Sequence, residues 1–202
     1  MTVHDHQRGA GRNSGRESPH APRSALSPLS TGLDPARTAL VLVDLMDRIV
    51  ALPLAPHSGP DVLTAACGLA TSFRDAGATV VAVRAQRTGP AEQPPGSGLV
   101  EGVARDGDVL VVKRTIGAFH DTGLHDRLQE RGIDTLVLAG IATNMGVEST
   151  ARAAADHGYR LVFAEDAMSG LTAAEHRATV SLDFPRFGTV VSAAEVGFAG
   201  PA

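Results

Sequence analysis

Thr38-Ala-Leu-Val-Leu-Val-Asp44 is an uncharged apolar run closed by a carboxylate. A strand with one face in water alternates apolar and polar residues, whereas an uninterrupted run of this length reads as a strand buried on both faces. Such a strand needs helices above and below its sheet. Downstream, Val62, Ala66, Leu69, Ala70 and Phe73 recur at helical spacing within residues 61–76, Gly77 closes that helix, and Thr79–Val83 forms a second apolar strand. The alternation continues with strands at 109–112, 135–139, 161–164 and 189–191 and helices at 122–131, 146–157 and 173–184. Strand and helix alternating in this way predict an α/β fold: a Rossmann-like parallel sheet of about six strands inside a three-layer α/β/α domain. Upstream, residues 1–36 carry Gly, Ser, Pro, Arg and His without apolar periodicity and are expected to be a disordered N-terminal tail. The remaining residues, 37–202, are expected to form a single domain.

Composition narrows the possible activities. The 202 residues are 43% hydrophobic and 20% charged, ordinary values for a globular chain. No apolar run approaches the roughly 18 residues that span a bilayer, so no membrane association is expected. The N-terminus lacks the charged-then-apolar pattern of a secretory signal, which predicts a cytoplasmic protein. Net charge is −4, from 18 basic and 22 acidic residues, and offers no footprint for nucleic acid. A single cysteine, Cys67, excludes an intramolecular disulfide and multi-cysteine metal patterns. Lys113 is the only lysine; every other basic residue is arginine. A site that needs a compact amine of adjustable pKa cannot accept a guanidinium, so this isolated lysine is a candidate for chemistry.

In open parallel sheets ligands bind beyond the carboxyl ends of the strands. The residues at those positions are Asp44 and Asp47; Arg84, Gln86 and Arg87; Lys113, Phe119 and His120; Gly140–Gly146; and Glu165 and Asp166. A carboxyl in an apolar sheet mouth is pushed up by desolvation and pulled down by a nearby ammonium, which suits it to hold or release a proton near neutrality. That makes Asp44 with Lys113 a candidate acid–base pair. The loop Gly140–Gly146 ends a strand and opens a helix, where N–H groups favour an anion or a developing oxyanion. Thr143 or Asn144 could equally serve only to cap that helix. His57, His120 and Gln86 are candidate substrate contacts, each also readable as an ordinary polar group.

Three separated segments together resemble the isochorismatase-like hydrolase superfamily, which includes isochorismatases, cysteine-dependent nicotinamidases and N-carbamoyl amidohydrolases. They are Ala39–Asp44; Val111-Val-Lys113 with Gly117-Ala-Phe119 and Thr122-Gly-Leu124; and Leu138-Ala-Gly-Ile-Ala-Thr-Asn-Met-Gly-Val-Glu-Ser-Thr-Ala-Arg-Ala-Ala154. The resemblance implies catalytic roles for Asp44 and Lys113 and places the family's nucleophilic cysteine at Gly146, as in a glycine-for-cysteine subgroup. It implies substrate contacts from His57, Gln86, Phe119, His120, Ala142, Thr143 and Asn144, and a cis peptide at Ile141-Ala142. The metal site of nicotinamidase-like relatives uses histidines after the second strand; Arg84–Pro90 has none, so no metal and no other cofactor is expected. A homodimer or homotetramer is also implied. The expected activity is hydrolysis of a small anionic molecule without a covalent thioester, with enol-ether cleavage favoured. The alternatives are a catalytically silent binding or scaffold protein and an amide hydrolase using activated water.

Overall fold

The computed structural model describes residues 32–89 and 91–199. Six strands, β1 (Thr38–Val43), β2 (Thr79–Ala85), β3 (Val109–Lys113), β4 (Thr135–Ile141), β5 (Arg160–Ser169) and β6 (Gly188–Val191), form one sheet. Their order is β3-β2-β1-β4-β5-β6, and every neighbouring pair is parallel. Chain order reverses at β1, which lies between β2 and β4, so the switch point of the sheet falls at the carboxyl end of β1.

All six residues of β1 are buried, as its unbroken apolar run requires. Ala39, Val41 and Val43 face one core with Leu124 and Leu128 of α3 (Leu124–Gln129) and Ala151 and Ala154 of α4 (Glu148–Asp156). Leu40 and Leu42 face the other core with Val62, Ala66, Leu69, Ala70 and Phe73 of α2 (Gly59–Asp75). The result is the expected three-layer α/β/α architecture. The α2 helix starts at a capping box in which Ser58 and Asp61 satisfy each other's backbone N–H groups, and it ends before Gly77, whose φ of +71° suits glycine. No helix among the described residues is long and apolar enough to cross a membrane.

Several boundaries differ from the sequence expectation. Residues 32–36 belong to the folded unit rather than to a tail: Leu33 is 2% exposed, bridges Phe198 and packs into the α2-side core. Its apolar side chain was hidden among Gly, Asp and Pro. Residues 1–31 lie outside the described residues. A short helix, α1 (Asp47–Val50), begins three residues after Asp44, where the sequence carries no helical pattern. It is braced by the segment Gly96–Val100, through Asp47 N–H to Gly98 O at 3.2 Å and Val100 N–H to Leu45 O at 2.9 Å. The helix expected from Gly146 begins earlier, as a π-helical turn over Thr143–Val147 that runs into α4. β5 continues well past Ala164, because its register with β4 jumps between Leu138↔Phe163 and Gly140↔Met168, so that Glu165 and Asp166 fall in a bulge. The helix expected at 173–184 is α only over α5 (Ala173–Ala178), then π and 3-10.

Leu33→Ala is expected to destabilise the protein by about 2–5 kcal/mol, as for other buried leucines. At roughly 2–4 °C per kcal/mol for a domain of this size, differential scanning calorimetry should show a fall of several degrees or more. An unchanged melting temperature would remove Leu33 from the core.

Candidate active site

Asp44 is the first residue beyond β1, and the chain turns sharply there, with φ of +53°. Aspartate tolerates this left-handed region better than most residues. Its N–H donates to Val83 O of β2 at 2.9 Å, and its own carbonyl accepts from Met46 N–H at 2.8 Å, so the turn is held on both sides. Lys113 ends β3, one strand beyond β2. Its side chain is 2% exposed, its Nζ lies 2.8 Å from Asp44 Oδ2, and it also donates to Ile116 O. Burial pushes the Asp44 carboxyl above the ordinary carboxylate range, with the Lys113 ammonium pulling against it. Asp44 Oδ1 is buried and has no hydrogen-bond partner among the described residues.

The third element is the loop after β4. Gly140 has φ of +121°, and a Cβ there would lie 2.1 Å from Val43 O, so only glycine lets β4 leave the sheet this close to β1. The Ile141-Ala142 peptide is cis, and the chain then enters the π-helical turn. A Cβ at Gly146 would stand 3.0 Å from Lys113 Nζ and 3.2 Å from Asp44 Oδ2. A side chain at this position would therefore enter the space beside the ion pair. Met145 and Val147 N–H groups both donate to Ala142 O, at 3.1 and 3.3 Å, and are not free to hold an anion. Asn144 Oδ1 is buried without a partner among the described residues.

Thr150, fully buried on α4, ties these parts together. Its hydroxyl donates to Gly146 O at 2.6 Å and accepts from Ala118 N–H at 3.1 Å, locking the segment after β3 to the loop after β4. Gly117 passes so close to α4 that a Cβ would lie 2.8 Å from Ser149 Oγ.

The structure thus brings together Asp44, Lys113 and Gly146, whereas Thr143 turns its hydroxyl to His176 and Ala142 packs against the α2-side core. Gln86 is adjacent, half-buried, with its N–H on Lys113 O at 2.9 Å. Phe119 and His120 do not join them. Phe119 turns inward and packs on His157 and Tyr159, with ring centroids 5.3 and 6.0 Å away. His120 is largely exposed beside Asp121. Being near Lys113 in sequence does not decide side-chain direction, because the chain after the strand is irregular coil through Gly117. Glu148 of α4 pairs with Arg152 at 2.6 Å rather than with the Asp44–Lys113 pair. Asp166 braces the sheet edge, accepting from Ala193 N–H at 2.6 Å.

His57 lies elsewhere, in a cavity of about 600 Å³ lined also by Glu165, His176, Arg177 and Ser192, and neither Asp44 nor Lys113 lines it. His57, Glu165 and His176 together offer ligand atoms within 4.8 Å of one another, a grouping absent from the expectation of no metal. Their separation along the chain, 108 residues from His57 to Glu165, left no spacing pattern to read. Sequence reasoning also missed Thr150 and Arg48. Arg48 stands four residues after Asp44 with its Nε buried and unpartnered among the described residues, and its charge pulls the Asp44 carboxyl down.

Comparison with known proteins identifies the family. The isochorismatase domain model matches residues 38–195. The isochorismatase family protein YecD of Escherichia coli O157:H7 is 39% identical over 181 residues, covering 81% of this chain and 96% of that protein. YwoC of Bacillus subtilis, of the same family, is 40% identical over 176 residues, covering 77% and 90%. The solved structure of an isochorismatase family protein from Burkholderia thailandensis superposes with a TM-score of 0.75 at 36% identity, covering 82% of this chain and 96% of that one. The chain belongs to the isochorismatase family of hydrolases.

Thr150→Val should cost about 1–3 kcal/mol, because it leaves the buried Ala118 N–H without its acceptor in a side chain of almost unchanged volume. Thr150→Ser keeps the hydroxyl and should recover most of that loss in chemical denaturation. Equal stability of the Val and Ser variants would show that the hydroxyl bonds contribute nothing.

Proposed function

We propose that this protein hydrolyses a small anionic molecule, with enol-ether cleavage favoured, and does so without a cysteine nucleophile. The observation that carries the reading is the buried Asp44–Lys113 pair facing a glycine at position 146. The family's thiol would stand at that glycine. Cys67, the chain's single cysteine, is half-buried on α2 within the opposite core, and burial pushes its thiol up, away from the reactive thiolate.

The chemistry follows from the raised carboxyl. With Oδ2 on Lys113, a proton on Oδ1 is placed for transfer to the terminal methylene carbon of an enol ether. That transfer leaves an oxocarbenium ion, to which water adds at the ether carbon. The water's proton returns to Asp44, and the hemiketal collapses to an alcohol and pyruvate; one water is consumed and the carboxyl is regenerated. Lys113 keeps the acid from titrating too high and offers its positive charge to an anionic substrate. Arg48 and the amides of Thr143, Asn144 and Gly146 are the groups that could hold the substrate carboxylate. A silent scaffold is disfavoured because a buried ion pair costs several kcal/mol per ion to desolvate, which gives a binding module no reason to keep it. The exposed apolar side chains on and beyond the β3 edge, Leu110, Val112 and Ile116, support a homodimer or homotetramer.

The test is incubation with isochorismate, related enol ethers and a panel of small amides, scored by pyruvate or ammonia release. Pyruvate release is expected, falling on the order of a hundredfold or more in Asp44→Asn. Since the acid form is the active one, kcat/KM should decline as pH rises through the raised Asp44 pKa. Alkylating Cys67 should leave turnover unchanged. Ammonia release alone, or inactivation by alkylation with the fold intact, would overturn the reading.

A further inference from the structure

The cavity that holds His57 is lined by side chains that the proposed reaction does not use. His57 comes from the loop between α1 and α2, far in sequence from Glu165 in the β5 bulge and His176 on the following α5. Their ligand atoms all lie within 4.8 Å of one another, and His176 Nε2 is 3.6 Å from Glu165 Oε2. That separation is longer than a hydrogen bond. It matches the roughly 3.4 Å between two ligand atoms sharing a tetrahedral ion at about 2.1 Å each. The two imidazoles meet edge to face, with centroids 5.7 Å apart.

The supporting contacts hold this arrangement in place. Thr143 Oγ1 lies 2.9 Å from His176 Nδ1, which fixes the ring with Nε2 turned to Glu165. Metal-binding histidines are oriented in this way, by a partner on the nitrogen that does not ligate. His176 is 2% exposed, so its ring is held by its surroundings rather than by solvent. The backbone of His57 is pinned to the end of β5, where Ser169 Oγ donates to His57 O at 2.7 Å and Ala55 and Gly170 exchange backbone hydrogen bonds of 3.1 and 3.2 Å. Glu165, 38% exposed, retains the freedom to close the last ångström. The bulge in β5 delivers the carboxylate here: without the three extra residues between the paired Phe163 and Met168, it would lie in the ladder.

We propose that His57, Glu165 and His176 bind one first-row divalent transition cation. Two imidazole nitrogens and one carboxylate oxygen suit zinc, cobalt or nickel and disfavour magnesium and calcium, which prefer all-oxygen sets. Three protein ligands leave at least one coordination position open, and it faces the 600 Å³ cavity, where Arg177 and Ser192 also stand. The cavity, with Arg177 and Glu195 both on its wall, therefore has room for a small ligand on the metal. Through Thr143, the first residue of the π-helical turn, it also touches the loop that carries Asn144 and Gly146.

The experiment uses the full chain after dialysis against a chelator. Titration calorimetry with zinc chloride should give one site per chain at micromolar affinity or tighter, and magnesium should give none. Cobalt(II) should add visible absorption bands of a four- or five-coordinate ion, absent from the free ion in buffer. His57→Ala and Glu165→Gln should each weaken zinc binding at least tenfold and abolish the cobalt bands, while far-UV circular dichroism stays native. Asp44→Asn should bind zinc normally, which separates this proposal from the reading of the active site. The sequence also holds His4, His6 and His20 in residues 1–36, so zinc binding that persists unchanged in a His57→Ala, Glu165→Gln double variant would place the metal elsewhere and overturn the proposal. Failure of the native protein to bind zinc or cobalt would overturn it equally.

Discussion

A carboxylate and an ammonium 2.8 Å apart, both taken out of water at the carboxyl edge of a parallel sheet, set the terms for everything around them. Removing either charge from water costs several kcal/mol, and their mutual attraction offsets that only if the geometry is held. β2 separates the two parent strands, so the Lys113 side chain must reach across it to Asp44. The turn at Asp44, the backbone bond from Gln86 to Lys113 and the hydroxyl of Thr150 all fix atoms next to the pair. Gly146 leaves open the volume that a side chain would otherwise occupy beside both charges. Burial raises the Asp44 carboxyl above the ordinary aspartate range, and its Oδ1 has no hydrogen-bond partner among the described residues.

The fold was legible wherever a side-chain pattern had one structural meaning. The run before Asp44 could be only a strand covered on both faces, and Val62 to Phe73 only a helix with one buried stripe. Gly77 marked a helix end because few other residues accept its φ. Legibility failed where tertiary pairing decided the outcome. Glu165 and Asp166 read as the end of a strand, yet the β4 ladder resumes beyond them at Met168. Leu33 sits among turn-forming residues, and only the distant Phe198 reveals that it is core.

The same division holds at the site. Asp44, Lys113 and the Gly140–Gly146 loop follow strand ends directly, where the backbone leaves little doubt about direction. Phe119 and His120 lie six and seven residues past β3, and the intervening coil turns one into the core and the other into solvent. Thr150 and His176 act through hydrogen bonds to groups 32 and 33 residues away, which no local spacing encodes. His57 met its partners only because the end of β5 pairs with the loop that carries it.

The most direct measurement is the titration of the Asp44 carboxyl itself, followed by carbon-13 NMR of aspartate-labelled protein and assigned by the loss of its signal in Asp44→Asn. Its midpoint is expected above the ordinary aspartate value of about 3.9, and higher still in Lys113→Met, where desolvation acts without the opposing ammonium. A midpoint at or below the ordinary value in the native protein, or one that does not move when Lys113 is replaced, would contradict a buried acid poised against its cation.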